Sequence, residues 1–174
     1  MVAANLGPGV NPITFSDDGR LFVAQCFFGD GLYEVDPLGE KEPRSIRDDL
    51  GPGCGLNGMD WGPDNRLYGP RWFDNEVISV DVDTGESRLE VSGLQVPAAV
   101  KFNSAGELHI LDTAAGTVLR RNTDGSVGVV ARLETGLDNF AFDNEDNLFV
   151  SSYADGSIVR VSGDSVEEVL PGGI

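Results

Sequence analysis

The sequence predicts an all-β protein with one domain, on three observations. Of its 174 residues, 23 are glycine, and no stretch shows the apolar periodicity of a long helix. Short apolar stretches instead alternate with polar turns rich in Gly, Asn and Asp, as in a protein built from many short strands. A chain of this length is sufficient for one domain with a real hydrophobic core.

Four segments of the sequence repeat one pattern. They are NPITFSDDGRLFVA from Asn11, NGMDWGPDNRLYGP from Asn57, AAVKFNSAGELHIL from Ala98 and DNFAFDNEDNLFVS from Asp138. Their spacing of roughly 40–45 residues is that of a β-propeller blade with four strands. We therefore expect an all-β fold, a β-propeller of about four blades with four antiparallel strands each. The approximate blade ranges are 8–50, 54–94, 95–134 and 135–174.

Within each repeat the same landmarks define the strands. The first strand ends on an aromatic residue: Phe15, Trp61, Phe102 and Phe142. After a polar turn, the second strand begins with a leucine: Leu21, Leu67, Leu108 and Leu148. The next position is aromatic in three repeats: Phe22, Tyr68 and Phe149. His109 holds this position in the remaining repeat, which predicts that it packs as a ring and is not a general base.

The strands are apolar on both faces, as in LFVA from Leu21 and LFVS from Leu148, so each blade requires a neighbour on either side. A row of four blades leaves two outer faces. The row is therefore a small closed ring, a part of a larger propeller, or an open unit that is completed by self-association. Because exposed apolar faces invite pairing, we expect a homo-oligomer.

The charge balance restricts the partners. With 12 basic and 29 acidic residues the net charge is −17, which argues against nucleic acid and anionic membrane surfaces, since both need clustered Lys and Arg. No apolar stretch is long enough for a membrane helix. The N-terminus lacks the pattern of a signal peptide, and the expected location is the cytoplasm. The acidic excess either serves solubility or creates a field that attracts cations such as Ca²⁺.

The two cysteines, Cys26 and Cys54, are too few for a disulfide scaffold and are not spaced as zinc ligands. Both fall in loops at the same end of the predicted propeller, where they could approach each other. In a cytoplasmic chain, free thiols are expected.

Two stretches resemble known propeller families. The segments NGMDWGPDNRLY from Asn57 and DNFAFDNEDNLFV from Asp138 resemble the gluconolactonase and senescence-marker (regucalcin) family, and LHILDTAAGTVLRRN from Leu108 is similar to an NHL repeat. The first resemblance implies a Ca²⁺-dependent lactone or ester hydrolase, although its members usually have six blades. The second implies a non-catalytic propeller that binds a partner. A truncated propeller without catalytic activity is a third alternative.

One position of the repeat, four residues before the first-strand aromatic, is the candidate metal layer. It is occupied by Asn11, Asn57, Ala98 and Asp138. Three of these side chains supply oxygen atoms, the ligands that Ca²⁺ prefers. By the resemblance, Asn57 matches the family's Asn-Gly pair, and Asp138 matches a metal-binding aspartate that would also accept a proton in catalysis. Asn11 matches by position only, and Ala98 and the lack of a glutamate depart from the family pattern. Alternatively, these Asn and Asp side chains cap turns.

The loops between the second and third strands lie at the same end as this layer. Arg71, Trp72 and Tyr153 occur in these loops and could line a pocket for an anionic or sugar-like small molecule. Alternatively, Arg71 and Trp72 stack on each other at the surface. Asp112 and Thr113 hold the Asp-Thr position of the NHL pattern, which is usually structural. The expected partner is a small-molecule ligand or another protein.

Overall fold

The computed structural model describes Leu6 and residues 9–51, 55–163 and 165–173. Over these residues the chain is all-β, with strands β1 to β16 in four separate four-stranded antiparallel sheets. The sheets are the blades of a four-blade β-propeller, which confirms the fold class that the repeat predicts. No helix in this part of the chain is long and apolar enough to cross a membrane.

Each blade is a meander of four consecutive strands, and each lies within one predicted repeat. Blade 1 has β1 (Val10–Phe15), β2 (Leu21–Gln25), β3 (Leu32–Val35) and β4 (Arg44–Arg47). Blade 2 has β5 (Asp60–Trp61), β6 (Leu67–Arg71), β7 (Glu76–Val80) and β8 (Ser87–Val91). Blade 3 has β9 (Pro97–Phe102), β10 (Leu108–Asp112), β11 (Thr117–Arg121) and β12 (Val127–Arg132). Blade 4 has β13 (Leu137–Phe142), β14 (Leu148–Ser152), β15 (Ile158–Ser162) and β16 (Ser165–Leu170).

The sequence landmarks set the register between the first and second strands. Each first-strand aromatic pairs with the leucine that opens the second strand: Phe15 with Leu21, Trp61 with Leu67, Phe102 with Leu108 and Phe142 with Leu148. The turn between them has a positive φ at one shared position: Gly19 (84°), Asn65 (61°), Gly106 (74°) and Asp146 (59°). Gly, Asn and Asp tolerate this conformation best, which explains the composition of the turns.

The hydrophobic core lies mainly between neighbouring blades. Separate clusters join blade 1 to blade 2, blade 2 to blade 3, and blade 3 to blade 4. A ring contact accompanies each junction: Phe22 stacks on Trp61 with centroids 5.5 Å apart, Tyr68 meets Phe102 edge-on at 5.0 Å, and His109 meets Phe142 at 4.9 Å. Blades 2 and 3 are therefore apolar on both faces because each is packed between two others, whereas blades 1 and 4 have a neighbouring blade on one side only.

His109 packs as the repeat predicts. Its ring is buried against Phe142, and its Nδ1 lies 3.0 Å from the carbonyl oxygen of Glu107. Burial lowers the pKa of His109, because the apolar junction disfavours the charged ring. A ring in this position fills the slot that Phe22 and Tyr68 fill at the other junctions.

Cys26 takes part in a disulfide bond, so the expectation of free thiols is wrong for this residue. Cys26 directly follows β2, and its backbone N–H donates to the carbonyl oxygen of Gly9 over 2.6 Å. It therefore sits in a loop at the end of the propeller where the sequence places both cysteines. Cys54, the other cysteine of the chain, lies outside the described residues.

Candidate functional site

One end of the propeller carries two sets of loops, those that enter the first strand of each blade and those between the second and third strands. We call it the loop end. A cleft of about 500 Å³ opens there between blades 2, 3 and 4, within the size range of small-molecule sites. It is lined by Trp72, Val96, Thr113, Ala114, Thr135, Gly136, Tyr153 and Ala154.

Backbone hydrogen bonds hold the loops of the cleft together. The N–H of Thr113 donates to the carbonyl oxygen of Val96 (2.9 Å), that of Gly136 to Thr113 (3.3 Å), and that of Tyr153 to Gly136 (3.0 Å). This ladder crosses from the loops of blade 3 to those of blade 4. The loops of the cleft are therefore already ordered without a ligand, which lowers the conformational entropy lost on binding.

Asp112 holds the backbone of two loops beside the cleft in place. Its buried carboxylate accepts backbone N–H groups of Gln95 (2.8 Å), Val96 (2.9 Å) and Ala115 (3.4 Å). The hydroxyl of the next residue, Thr113, donates to the carbonyl oxygen of Leu137 over 2.7 Å. Both side chains are thus used for structure, as the NHL-like position predicts.

Two aromatic residues form the walls. Trp72 reaches over from blade 2 and packs against the hydrophobic cluster between blades 3 and 4, and the side chain of Tyr153 is 64% exposed at the other side. The remaining lining residues are threonines and small or aliphatic residues. No Asp, Glu, Lys or Arg lines the cleft in the described part of the chain, so its chemistry suits a neutral ligand with an apolar face.

The side chain of Arg71 lies outside the cleft that Trp72 and Tyr153 line. Its guanidinium donates to the carbonyl oxygen of Leu50 (3.0 Å) and to Glu76 (2.8 Å), and it pairs with Asp74 at 2.5 Å. These contacts tie the end of β6 to the connection between blades 1 and 2. The structure therefore places Arg71 in a structural network and brings Trp72 and Tyr153 together in the cleft.

The candidate metal layer is only partly assembled. The side-chain amide of Asn11 donates to Oδ1 of Asn57 over 3.1 Å, so these two residues lie together as the repeat predicts. Asp138 is exposed, and no hydrogen bond of the described residues joins its side chain to either asparagine. The described chain contains no group of three or more His, Cys, Asp or Glu side chains arranged to hold a metal.

These residues do not fit a calcium site by themselves. Ca²⁺ takes about six to eight oxygen ligands, usually with several carboxylates. The layer supplies one carboxylate, from Asp138, and two amides, of which the Asn57 oxygen already accepts a hydrogen bond from Asn11.

Gly58 gives the Asn-Gly pair a structural explanation. Its φ is +52°, and a Cβ at this position would lie 2.5 Å from the Cβ of Ala99 and 2.6 Å from the carbonyl oxygen of Ala98. The Gly58 carbonyl also accepts the N–H of Val100 over 2.9 Å. The glycine of the pair is thus required where blade 3 packs closely against blade 2.

Sequence reasoning missed the small residues that line the cleft. The loop position that follows Trp72 and Tyr153 in their blades is occupied by Phe27, Phe73, Ala114 and Ala154. The two phenylalanines project into solvent in blades 1 and 2, whereas the two alanines line the cleft in blades 3 and 4. The change from Phe to Ala between repeats was the available signal.

No family model matches the sequence, and no curated protein matches it. Among solved structures, a catalytically inactive virginiamycin B lyase from Staphylococcus aureus with quinupristin is 16% identical, with a TM-score of 0.77 over 98% of this chain. A nidogen/laminin complex gives 16% identity and a TM-score of 0.81 over 98% of the chain. A gluconolactonase from Xanthomonas campestris gives 16% identity and a TM-score of 0.67 over 82%.

These likenesses show a shared fold, that of the β-propellers. The chain spans 58%, 66% and 54% of the three neighbours, respectively. Proteins with one fold carry many activities, so function must come from the site.

Proposed function

We propose that this chain is a non-catalytic binding propeller that holds a neutral cyclic small molecule, such as a sugar, in the cleft at the loop end. The observation that carries this proposal is the placement of Trp72 and Tyr153 on one preformed cleft without a charged side chain. The apolar C–H face of a sugar ring packs on an aromatic face, and hydroxyl groups at the rim bind its edge. Thr135 and Tyr153 offer such hydroxyl groups.

The experiment is isothermal titration calorimetry with a panel of neutral monosaccharides and disaccharides, with glucono-1,5-lactone and gluconate included. We expect one neutral ring compound to bind. Trp72→Ala should weaken this binding at least tenfold, since an aromatic side chain that a ligand covers contributes well over about 1.4 kcal/mol.

The matched control is Phe73→Ala, which removes an exposed aromatic side chain from the neighbouring residue but outside the cleft. It should leave affinity within about twofold of the unmodified chain. The proposal fails if no compound of the panel binds, or if Phe73→Ala weakens binding as much as Trp72→Ala.

A second candidate function, which would need calcium ligands beyond Asn11, Asn57 and Asp138, is that of a Ca²⁺-dependent lactone or ester hydrolase. One observation favours it: the contact between Asn11 and Asn57 brings two side-chain amides of different blades together, at the repeat level of the exposed carboxylate of Asp138. Asp138 would hold the proton released by the attacking water.

This candidate is tested by calorimetric titration of Ca²⁺ and by pH-stat assay of lactone opening. Asp138→Asn should abolish both signals, while Asp143→Asn, which alters an exposed turn carboxylate, should leave them unchanged. The absence of calcium heat and of turnover in the unmodified chain would exclude it.

The disulfide of Cys26 bears on location. Disulfides persist in oxidising compartments and are rare in the cytoplasm, so we propose that this chain acts outside the cytoplasm, in place of the cytoplasmic location that the sequence led us to expect. Alkylation of free thiols in intact cells, followed by mass analysis, tests this: a Cys26 thiol alkylated without prior reduction would contradict it.

A further inference from the structure

The three junctions between blades share one aromatic contact. The second residue of β2, β6 or β10 (Phe22, Tyr68 or His109) meets the last residue of the first strand in the following blade (Trp61, Phe102 or Phe142). The second-strand member is buried at each junction. Each blade therefore has two different faces. Its trailing face, toward the following blade, carries the second-strand ring, and its leading face, toward the preceding blade, carries the first-strand ring.

The two outer faces of the row carry the unused halves of this contact. On the trailing face of blade 4, Phe149 is half-buried and lines a depression of about 340 Å³ with Ala141, Ser151 and Ile158 of the same blade and Lys101 of blade 3. On the leading face of blade 1, Phe15 is 54% exposed and Ile13 is 60% exposed. Among the described residues neither phenylalanine has an aromatic partner.

We propose that the trailing face of blade 4 binds the leading face of blade 1 of a second copy of this chain, with Phe149 of one copy against Phe15 of the other. The register supports this fit. Phe149 pairs with Ala141 as Tyr68 pairs with Asp60, and Phe15 pairs with Leu21 as the junction aromatics of the other blades pair with theirs. The interface would thus continue the packing that already joins the blades.

The second copy is the occupant that the chain itself specifies, because both complementary halves are present on one molecule. Such a head-to-tail contact is heterologous, so it closes into a ring or extends as a chain. Leu6 packs on the same face against Leu21, Val23 and Val35, and Ile13 and Phe15 remain exposed beside it.

Multi-angle light scattering of the full chain and two variants tests the proposal. The unmodified chain should give a mass at least twice that of the 18.5 kDa chain. Phe15→Asp and Phe149→Asp should each be monomers, since each loses one half of the contact. An equimolar mixture should form a 1:1 dimer, because each variant keeps the half that the other lacks. Raised salt should strengthen association, since copies with a net charge of −17 repel each other.

Controls separate this interface from misfolding and from other contacts. Ile13→Asp and Ala141→Arg, at exposed positions of the two faces, should repeat the effects, and circular dichroism melts should show that all variants fold. Phe73→Asp, at the loop end, should leave the mass unchanged. A monomeric unmodified chain at 100 μM overturns the proposal, as does association that both face variants retain. Variants that remain monomeric when mixed overturn it as well, since only a contact between unlike faces is restored by mixing.

Discussion

Replacement of Asp112 by asparagine is the sharpest test of how the cleft is held. The carboxylate is buried and accepts three backbone N–H groups, from Gln95, Val96 and Ala115. Asparagine has almost the same shape but turns one acceptor oxygen into an NH₂ donor. That NH₂ then faces a backbone N–H, and neither group has a partner.

The magnitude follows from the two short bonds, at 2.8 and 2.9 Å. Hydrogen bonds to a charged group contribute about 1.5–3 kcal/mol each, and a buried donor left without a partner costs a similar amount. One of the two bonds survives in the variant. We therefore expect Asp112→Asn to lower the free energy of unfolding by about 2–3 kcal/mol. It should also weaken the binding of any ligand in the cleft, because the loop of Val96 loses a hydrogen bond that holds it in place.

Urea unfolding at pH 7, followed by circular dichroism, measures this change. The control is Asp143→Asn, because Asp143 also accepts two backbone N–H groups, from Glu145 and Asn147 at 2.9 Å, but in an exposed turn. Water can replace those bonds, so the control should cost much less stability than Asp112→Asn. Equal costs for the two variants would refute the assignment of Asp112 as a buried anchor.

Three further predictions concern stability. Glu34 lies between two arginines, Arg20 and Arg44, which lower its pKa from 4.5 to about 2. The shift corresponds to a stabilisation of the folded state by at most about 3 kcal/mol, which solvent screening reduces to about 1–2 kcal/mol. This stabilisation is present above pH 4.5 and is lost as the pH falls towards 2. Glu34→Gln should therefore destabilise the chain at pH 7 and clearly less at pH 3 in urea unfolding, and an equal cost at both would contradict this. Cys26→Ser should cost about 2–4 kcal/mol, and dithiothreitol should lower the Tm of the unmodified chain but not of the variant. Gly58→Ala should cost about 1–3 kcal/mol, because of the positive φ and the close approach of Ala99; an unchanged Tm would show that blade 3 yields easily.

The fold could be predicted because its determinants are local and repeated. The aromatic at the end of the first strand and the leucine at the start of the second mark the same paired positions in all four blades. The role of His109 followed from the same alignment, since a residue in a repeated slot inherits the packing of that slot. Where the strand positions of one repeat are ambiguous, alignment with the other three repeats assigns them.

The site could be predicted only in part, because it depends on contacts between blades. Trp72 and Tyr153 were predicted from their loop positions to line a pocket, and both lie on one cleft, whose ligand remains a proposal. Arg71 was grouped with them, but a residue at the end of a strand points away from its neighbour in sequence. Its guanidinium binds Leu50, Asp74 and Glu76. Whether Cys26 forms a disulfide depended on the separation of two loops, which spacing in sequence does not provide.

The cleft lies in the sector of the loop end where one loop position changes from phenylalanine to alanine. Phe27 and Phe73 hold this position in blades 1 and 2 and are exposed to solvent, whereas Ala114 and Ala154 line the cleft together with Trp72. The blades share one strand pattern, but this loop position makes one sector of the loop end different from the rest. In a repeated scaffold of this kind the shared residues determine the strands, while the proposed binding cleft lies where one loop position differs between blades. For this reason Ala114 and Ala154 define the cleft as much as the aromatic residues that line it.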